Sequence, residues 1–382
     1  MLKKVLIISN PNSQYNTLAI FSQELLEAFQ RQNIEAKIIT TEEIKNNIYT
    51  ITNYQPDITI AFNGPLPTKN QIFLCDIINI PHVAWIVDNA NYYPQLSLSK
   101  LNYIACVDRY SCEFYKKMNC TNSFFLPHGI NPAYKFTQVT SKYFDISFFG
   151  TCIPYKTIEK HWPIKYPPRI VELLYKASER TLNDQTTLYQ EALFTEIENG
   201  QYDVKNFSIY DLLKTLDQYI RGKSRCHLIQ SIQCSDIHLF GKNWDCIHLK
   251  DYFPDNYHLI KIHPEIDFSS IPKYMAESKI VLNNSPMFKQ GGHERIFMAP
   301  LLGSVVLTGN NDYLSSSFSH KENILFYDYN NTEVVNDLIE HYLSHPHEME
   351  DIVNKGKQIV LAHHTWDERV KIIRSLFSYI LF

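Results

Sequence analysis

Short β-branched apolar runs recur along the chain, each followed by a segment long enough for a helix, and this recurrence restricts the possible folds most. VLIIS (5–9), AKIITT (36–41), DITIAF (57–62), HVAWIV (82–87), YIACV (103–107) and SFFLP (123–127) form a first series. Between the first two, Leu18, Phe21, Leu25, Leu26 and Phe29 repeat at the spacing of one helical face, so the opening reads as a β-α-β unit. Strands alternating with helices build a parallel sheet covered on both faces. A second series starts at DISFFG (145–150) and continues with DIHLFG (236–241), KIVLNN (279–284), GSVVLTG (303–309) and NILFY (323–327). Two such series in 382 residues imply an α/β protein of two Rossmann-like domains. The join lies near 133–144, which gives a first domain of 1–140 and a second of 141–364.

Residues 168–222 break the alternation. They hold no convincing strand, Pro167 and Pro168 suit a helix start, and Ile209, Leu212, Leu213, Leu216 and Ile220 are spaced as a helical face. A helical insertion in the second domain is expected, with its apolar face buried on that domain, on a second subunit or on an acceptor; an oligomer contact through it is left open.

Composition removes several classes of function. With 45% hydrophobic and 20% charged residues the chain can bury a core, which excludes a disordered protein. Its net charge of -4 provides no drive toward nucleic acid. The apolar run at the N-terminus is cut by Asn10 and Pro11 and reads as a strand, and no stretch reaches the roughly 18 apolar residues of a membrane span. The eight cysteines contain no C-x-x-C pair, which favours reduced thiols and a cytoplasmic location over a zinc or disulfide framework.

In an open parallel sheet, ligands bind beyond the carboxyl ends of the strands. No G-x-G-x-x-G follows the first strand and no P-loop occurs, so a dinucleotide dehydrogenase and a P-loop ATPase are disfavoured. The densest segment is KQGGHERIFMAPLLGSVVLTG, 289–309. Gly291 and Gly292 would let the backbone approach a ligand, and the N–H groups opening the next helix, with His293, Glu294 and Arg295, would face a phosphate. A plain strand-loop-helix connection with solvated polar side chains is the other reading of these residues.

The run LNNSPMFKQGGHERIFMAPLLGSVVLTGNNDYL resembles the nucleotide-binding segment of the spore-maturation CgeB-like glycosyltransferases, which are group 1 enzymes of the GT-B fold. HVAWIVDN, CVDRYSCEFYKKM, LPHGINPAYKF, FDISFFGT, IHLFGKNWD and HHTWDERVKII match the same family in order. The resemblance implies two Rossmann-like domains facing a cleft and a final helix, 365–382, crossing back to the first domain. It also implies a nucleotide-diphosphate sugar held mainly by the second domain and an acceptor, of unidentified protein, lipid or polysaccharide nature, held by the first. Arg295 falls on the helix-start arginine near the donor phosphates, and Gly303 on the glycine that ends that helix. Gln290 and Met298 stand where related enzymes carry two glutamates, the second a ribose ligand, so ribose binding must come from elsewhere, with Glu294 one option.

Gly150 follows the first strand of the second domain. Lys223 and Arg225 lie where basic side chains neutralise the departing diphosphate in group 1 enzymes, a solvated helix start being the competing role, and His263 where the family has a loop near the nucleoside. The turn carrying His128 lines the cleft in the family. Asp88, just past an apolar strand, could take the acceptor proton, and so could His128; a helix cap and a structural histidine are the competing roles. The chain has no D-x-D, so no metal and no cofactor beyond the sugar nucleotide are expected. Neighbouring His363 and His364 would point about 100° apart on a helix and make a poor metal pair. The expected activity is transfer of a sugar to an acceptor; an epimerase sharing the nucleotide cleft and a non-catalytic binding module are the alternatives.

Overall fold

A computed structural model describes residues 2–10, 13–68, 70–137, 139 and 141–380. The first series forms β1 (Lys4–Ser9), β2 (Glu35–Thr40), β3 (Ile58–Phe62), β4 (His82–Ile86), β5 (Asn102–Cys106) and β6 (Ser123–Phe125). These pair in the order β2-β1-β3-β4-β5-β6, all parallel. The second sheet holds β7 (Phe144–Phe149), β8 (Ile237–Phe240), β9 (Ile260–His263), β10 (Ser278–Asn283), β11 (Val305–Gly309) and β12 (Leu325–Tyr327). Its order is β12-β11-β10-β7-β8-β9, again parallel throughout. Every residue of β3 and β4 is buried, because helices cover both faces and leave no side for polar alternation. Residues 138 and 140, at the join read from the sequence, lie outside the described residues, as do Pro11 and Asn12 after β1.

The strand order reverses between β1 and β3 in one sheet and between β7 and β10 in the other. Those are the points where connections leave to opposite sides and open a crevice at the carboxyl ends. The sequence reading lacked β9: IKIH is four residues with a lysine inside, at a sheet edge where only half a strand need be apolar.

Between β7 and β8 run four helices, Tyr155–Lys165, Pro168–Asn183, Tyr189–Gly200 and Ile209–Gln230. Pro168 takes the first helical position of the second, and Ser208 caps the fourth by accepting the Asp211 N–H at 3.2 Å. Leu212, Leu216 and Ile220 are fully buried with Leu173, Leu174, Leu193 and Trp162, so the periodic face closes on its own domain. Burying each such side chain is worth about 1.5–3 kcal/mol, enough to hold a bundle with no strand in it.

The last helix, Trp366–Ile380, lies against the helix Thr17–Arg31 of the first domain. Arg31 grips Asp367 through two bonds of 2.9 and 2.8 Å, and the Trp366 ring meets Trp85 edge-on at 5.4 Å. Glu24 sits beneath both passages of the chain between domains: Trp366 Nε1 and Tyr134 Oη each donate to its carboxyl at 2.6 Å. Burial pushes that carboxyl up to about 7 despite the two donors. The folded state then keeps a proton that the unfolded chain releases near the ordinary value, so stability is expected to fall as pH rises from about 4.5 to about 7. Glu24→Gln, which keeps an acceptor oxygen, should flatten that slope in urea melts between pH 5 and pH 8; an unchanged slope would place the titrating group elsewhere.

Candidate functional site

The carboxyl ends of the two sheets face each other across a cleft of about 870 Å³. From the first domain come Asn63 just past β3, Asp88 and Asn89 just past β4, and His128 in the loop after β6. Asp88 accepts from Asn63 Nδ2 at 2.8 Å and from Tyr93 Oη at 3.4 Å. Burial raises the Asp88 carboxyl, opposed by Arg221, Asn63 and Tyr93. Its surface is open to cleft water, which tempers that rise. His128 is buried, with Nδ1 lacking a hydrogen bond and its ring 6.0 Å from that of His293. Burial pushes its imidazole down to about 3, so it is neutral at physiological pH.

From the second domain the cleft receives Gly150 and Thr151 after β7 and three arginines. Arg225 lies on the helix Ile209–Gln230 with its guanidinium over the Phe148 ring, donating through Nη1 to the Thr151 carbonyl. Arg221 is one turn earlier, tied to Asp217 at 3.2 Å and 41% exposed toward the cleft. Arg295, in the first turn of the helix Glu294–Leu301, lies 3.9 Å from Glu294. The Nε atoms of Arg225 and Arg295 are buried without a hydrogen bond. Burial, then repulsion from Arg221 and Arg295, pushes Arg225 down to about 9. Burial opposes the charge of Glu294, but His293 and Arg295 outweigh it and hold the carboxyl well below the usual range. Three carboxylates, Asp88, Asp217 and Glu294, offset much of the charge of the three guanidiniums, and the two Nε atoms without a partner are the donors left over for an anionic ligand.

Two of the expected residues face elsewhere. Lys223, two positions from both arginines, is turned to the other side of their helix, where its Nζ meets Tyr219 Oη at 3.2 Å. His263 ends β9 outside the cleft; its Nε2 shares a 2.8 Å hydrogen bond with His238 Nδ1 and its ring stacks on Phe240 at 4.2 Å. Gly291 and Gly292 serve packing between elements. Gly291 forms an antiparallel bridge with Asp108 across the domain seam, and a Cβ there would stand 2.2 Å from the Val107 carbonyl. A Cβ on Gly292 would press on Leu314 and Phe297. Gln290 donates to Asp312 at 2.6 Å and Met298 is wholly buried in the core, so neither side chain lines the cleft.

Sequence reasoning missed Arg221, although its four-residue spacing from Arg225 was a readable sign that the two share a helix face. It missed Tyr15, whose phenol crosses the cleft to Thr151 Oγ1 at 2.8 Å and accepts the Lys242 N–H at 3.1 Å, from a backbone at φ 57°. It also missed Asp217, 1% exposed, which accepts from Asn89 Nδ2 at 3.3 Å and Tyr92 Oη at 3.0 Å. One carboxylate thus joins the loop carrying Asp88 to Arg221. Asp217→Ala is expected to lower stability by about 1.5–3 kcal/mol in urea denaturation, the range for a hydrogen bond to a charged group; a change below about 0.5 kcal/mol would show that water replaces it without loss.

Residues 223–375 match a family model described as "Glycosyl transferase-like". No curated protein sequence matches the chain. Solved structures of similar fold include HepE of Anabaena in complex with UDP and glucose, at TM-score 0.59 and 10% identity over 99% of this chain and 100% of that one. A glycosyltransferase of Rickettsia africae aligns at TM-score 0.58 and 11% identity over 100% and 99%. Sucrose-phosphate synthase of Thermosynechococcus elongatus aligns at 0.56 and 10% over 99% of each. At such identity the likeness is one of fold, and the fold is GT-B.

Proposed function

We propose that the chain is a glycosyltransferase that moves a sugar from a nucleotide-diphosphate sugar to an acceptor hydroxyl without a metal ion. The convergence of Arg221, Arg225 and Arg295 in the cleft, with two buried Nε atoms left without hydrogen bonds, carries this reading. The matched family model and the UDP in the HepE structure support it. In the reaction the acceptor oxygen bonds to the anomeric carbon as the carbon–oxygen bond to the diphosphate breaks. The arginines take up the charge left on the diphosphate, and Asp88 accepts the proton of the acceptor hydroxyl. Neutral His128 lies at the cleft floor and is the alternative base. The order of the matching segments favours the spore-maturation group among such enzymes.

A second reading, a module that binds nucleotide sugar without turnover, draws on Met298 being buried where related enzymes hold a ribose ligand. A thermal-shift screen of UDP, GDP and dTDP and their sugars, followed by donor hydrolysis, separates the two. Stabilisation with release of free nucleoside diphosphate supports transfer, an isomerised sugar indicates an epimerase, and stabilisation without chemistry supports the module.

Turnover is expected to be unchanged in excess EDTA, because the chain has no D-x-D and the cleft gathers cationic side chains instead. A rate lost to EDTA and restored by manganese or magnesium would show that a metal takes part.

A further inference from the structure

Among the described residues, one group of three side chains brings metal-ligating atoms together: His341, His345 and Glu348, at the junction of the helices Glu333–Ser344 and Pro346–His363. None of the three lines the interdomain cleft.

His341 and His345 are four residues apart, so both rings leave the same face at the helix end, and they stack with centroids 4.3 Å apart and planes 19° from parallel. Pro346 opens the next helix immediately, and its first turn returns Glu348 to the same spot, with a carboxylate oxygen 2.9 Å from His341 Nε2. One ligand atom from each residue lies within 4.8 Å of the others. The Nδ1 of His345 is held by the His341 carbonyl at 2.7 Å, which makes Nδ1 the donor and leaves Nε2 as a lone pair.

We propose that His341, His345 and Glu348 form a site for a divalent ion of the zinc class, which links the two helices from outside the active cleft. Two imidazole nitrogens and one carboxylate suit a borderline transition metal and are a poor set for magnesium or calcium, which take oxygen ligands. Metal–ligand bonds of about 2 Å set tetrahedral ligands roughly 3.3 Å apart. The three groups are exposed, so their side chains are free to rotate toward that spacing, with water in the fourth position. The ion replaces the present contact between His341 and Glu348 and bridges two helices that share only a one-residue turn, on the path to the final crossing helix.

The test is calorimetric titration of the metal-stripped full chain with zinc chloride, in a Cys246→Ser background so that the exposed thiol takes no part. One equivalent is expected to bind and to raise the melting temperature by about 2 °C or more, while magnesium does neither. His341→Ala and Glu348→Ala should each weaken binding by about tenfold or more, since ligand loss exceeds the effect of losing an outer-shell partner. All three positions are exposed, so the variants should fold, and circular dichroism checks that. Equal affinity in a triple His341→Ala, His345→Ala, Glu348→Ala variant would overturn the site, as would heat no greater than the triple variant gives.

Discussion

Arg225→Met and Arg295→Ala are each expected to weaken binding of a nucleoside diphosphate by about 1.5–3 kcal/mol, roughly tenfold to a hundredfold in Kd, with the fold intact. Each removes a guanidinium whose Nε has no hydrogen bond within the protein; Arg225 gives up its Nη1 bond to the Thr151 carbonyl and Arg295 the charge that faces Glu294. The ligand-free protein is expected to respond in the opposite sense. Arg225 is 7% exposed and repelled by Arg221 and Arg295, so methionine there should hold or raise the melting temperature while the stabilisation by nucleotide shrinks. That split separates a ligand-binding arginine from a structural one, whose loss would lower both. Calorimetry with UDP, GDP or dTDP, paired with melts of the free variants, reads the two quantities. Unchanged affinity in folded variants would sink the phosphate assignment.

Asp88→Asn is expected to retain nucleotide binding and to reduce transfer by about 10²–10⁴-fold, the usual contribution of a positioned general base. Asparagine still occupies the space between Asn63 and Tyr93 but cannot accept a proton. The pH dependence follows from the sign of the shift. Burial raises the Asp88 carboxyl, so the base is lost by protonation as pH falls through that raised value, and the wild-type rate should show an acid limb that the variant lacks. His128→Gln is the internal comparison: an imidazole pushed down to about 3 is already neutral, and its loss should leave the acid limb in place. If Asp88→Asn transfers sugar at the normal rate, the proton goes elsewhere.

Particular elements show how far pattern reading reaches. HVAWIV was legible as a strand because all of β4 is buried, and an apolar run too short for a helix suits a strand covered on both faces. IKIH was not, because an edge strand satisfies its exposed side with lysine and water. Residues 168–222 were legible as helical from Pro168 and the Leu212–Leu216–Ile220 spacing, yet the reading ended the insertion at 222, whereas its last helix continues to Gln230. Arg221, one residue before that limit, and Arg225, three beyond it, both line the cleft, so the insertion supplies two of its three arginines from one helix. Helical period shows which residues share a face, but only the packing of that face shows what lies opposite.

The glycines make the same point in reverse. GG before HER suggested a backbone open to phosphate, and the chain uses Gly291 to fit a bridge against Asp108 of the other domain. Local sequence determined that this backbone must pass close to something, since glycine removes the Cβ that would block it. Alternation of apolar runs likewise determined two parallel sheets, because a strand buried on both faces cannot hide its pattern. Tertiary structure alone decided which strand ends face each other, that Asp217 and Asp88 meet around Arg221, and that Lys223 and His263 turn away. Those outcomes depend on contacts between residues far apart in the chain, which no local period encodes.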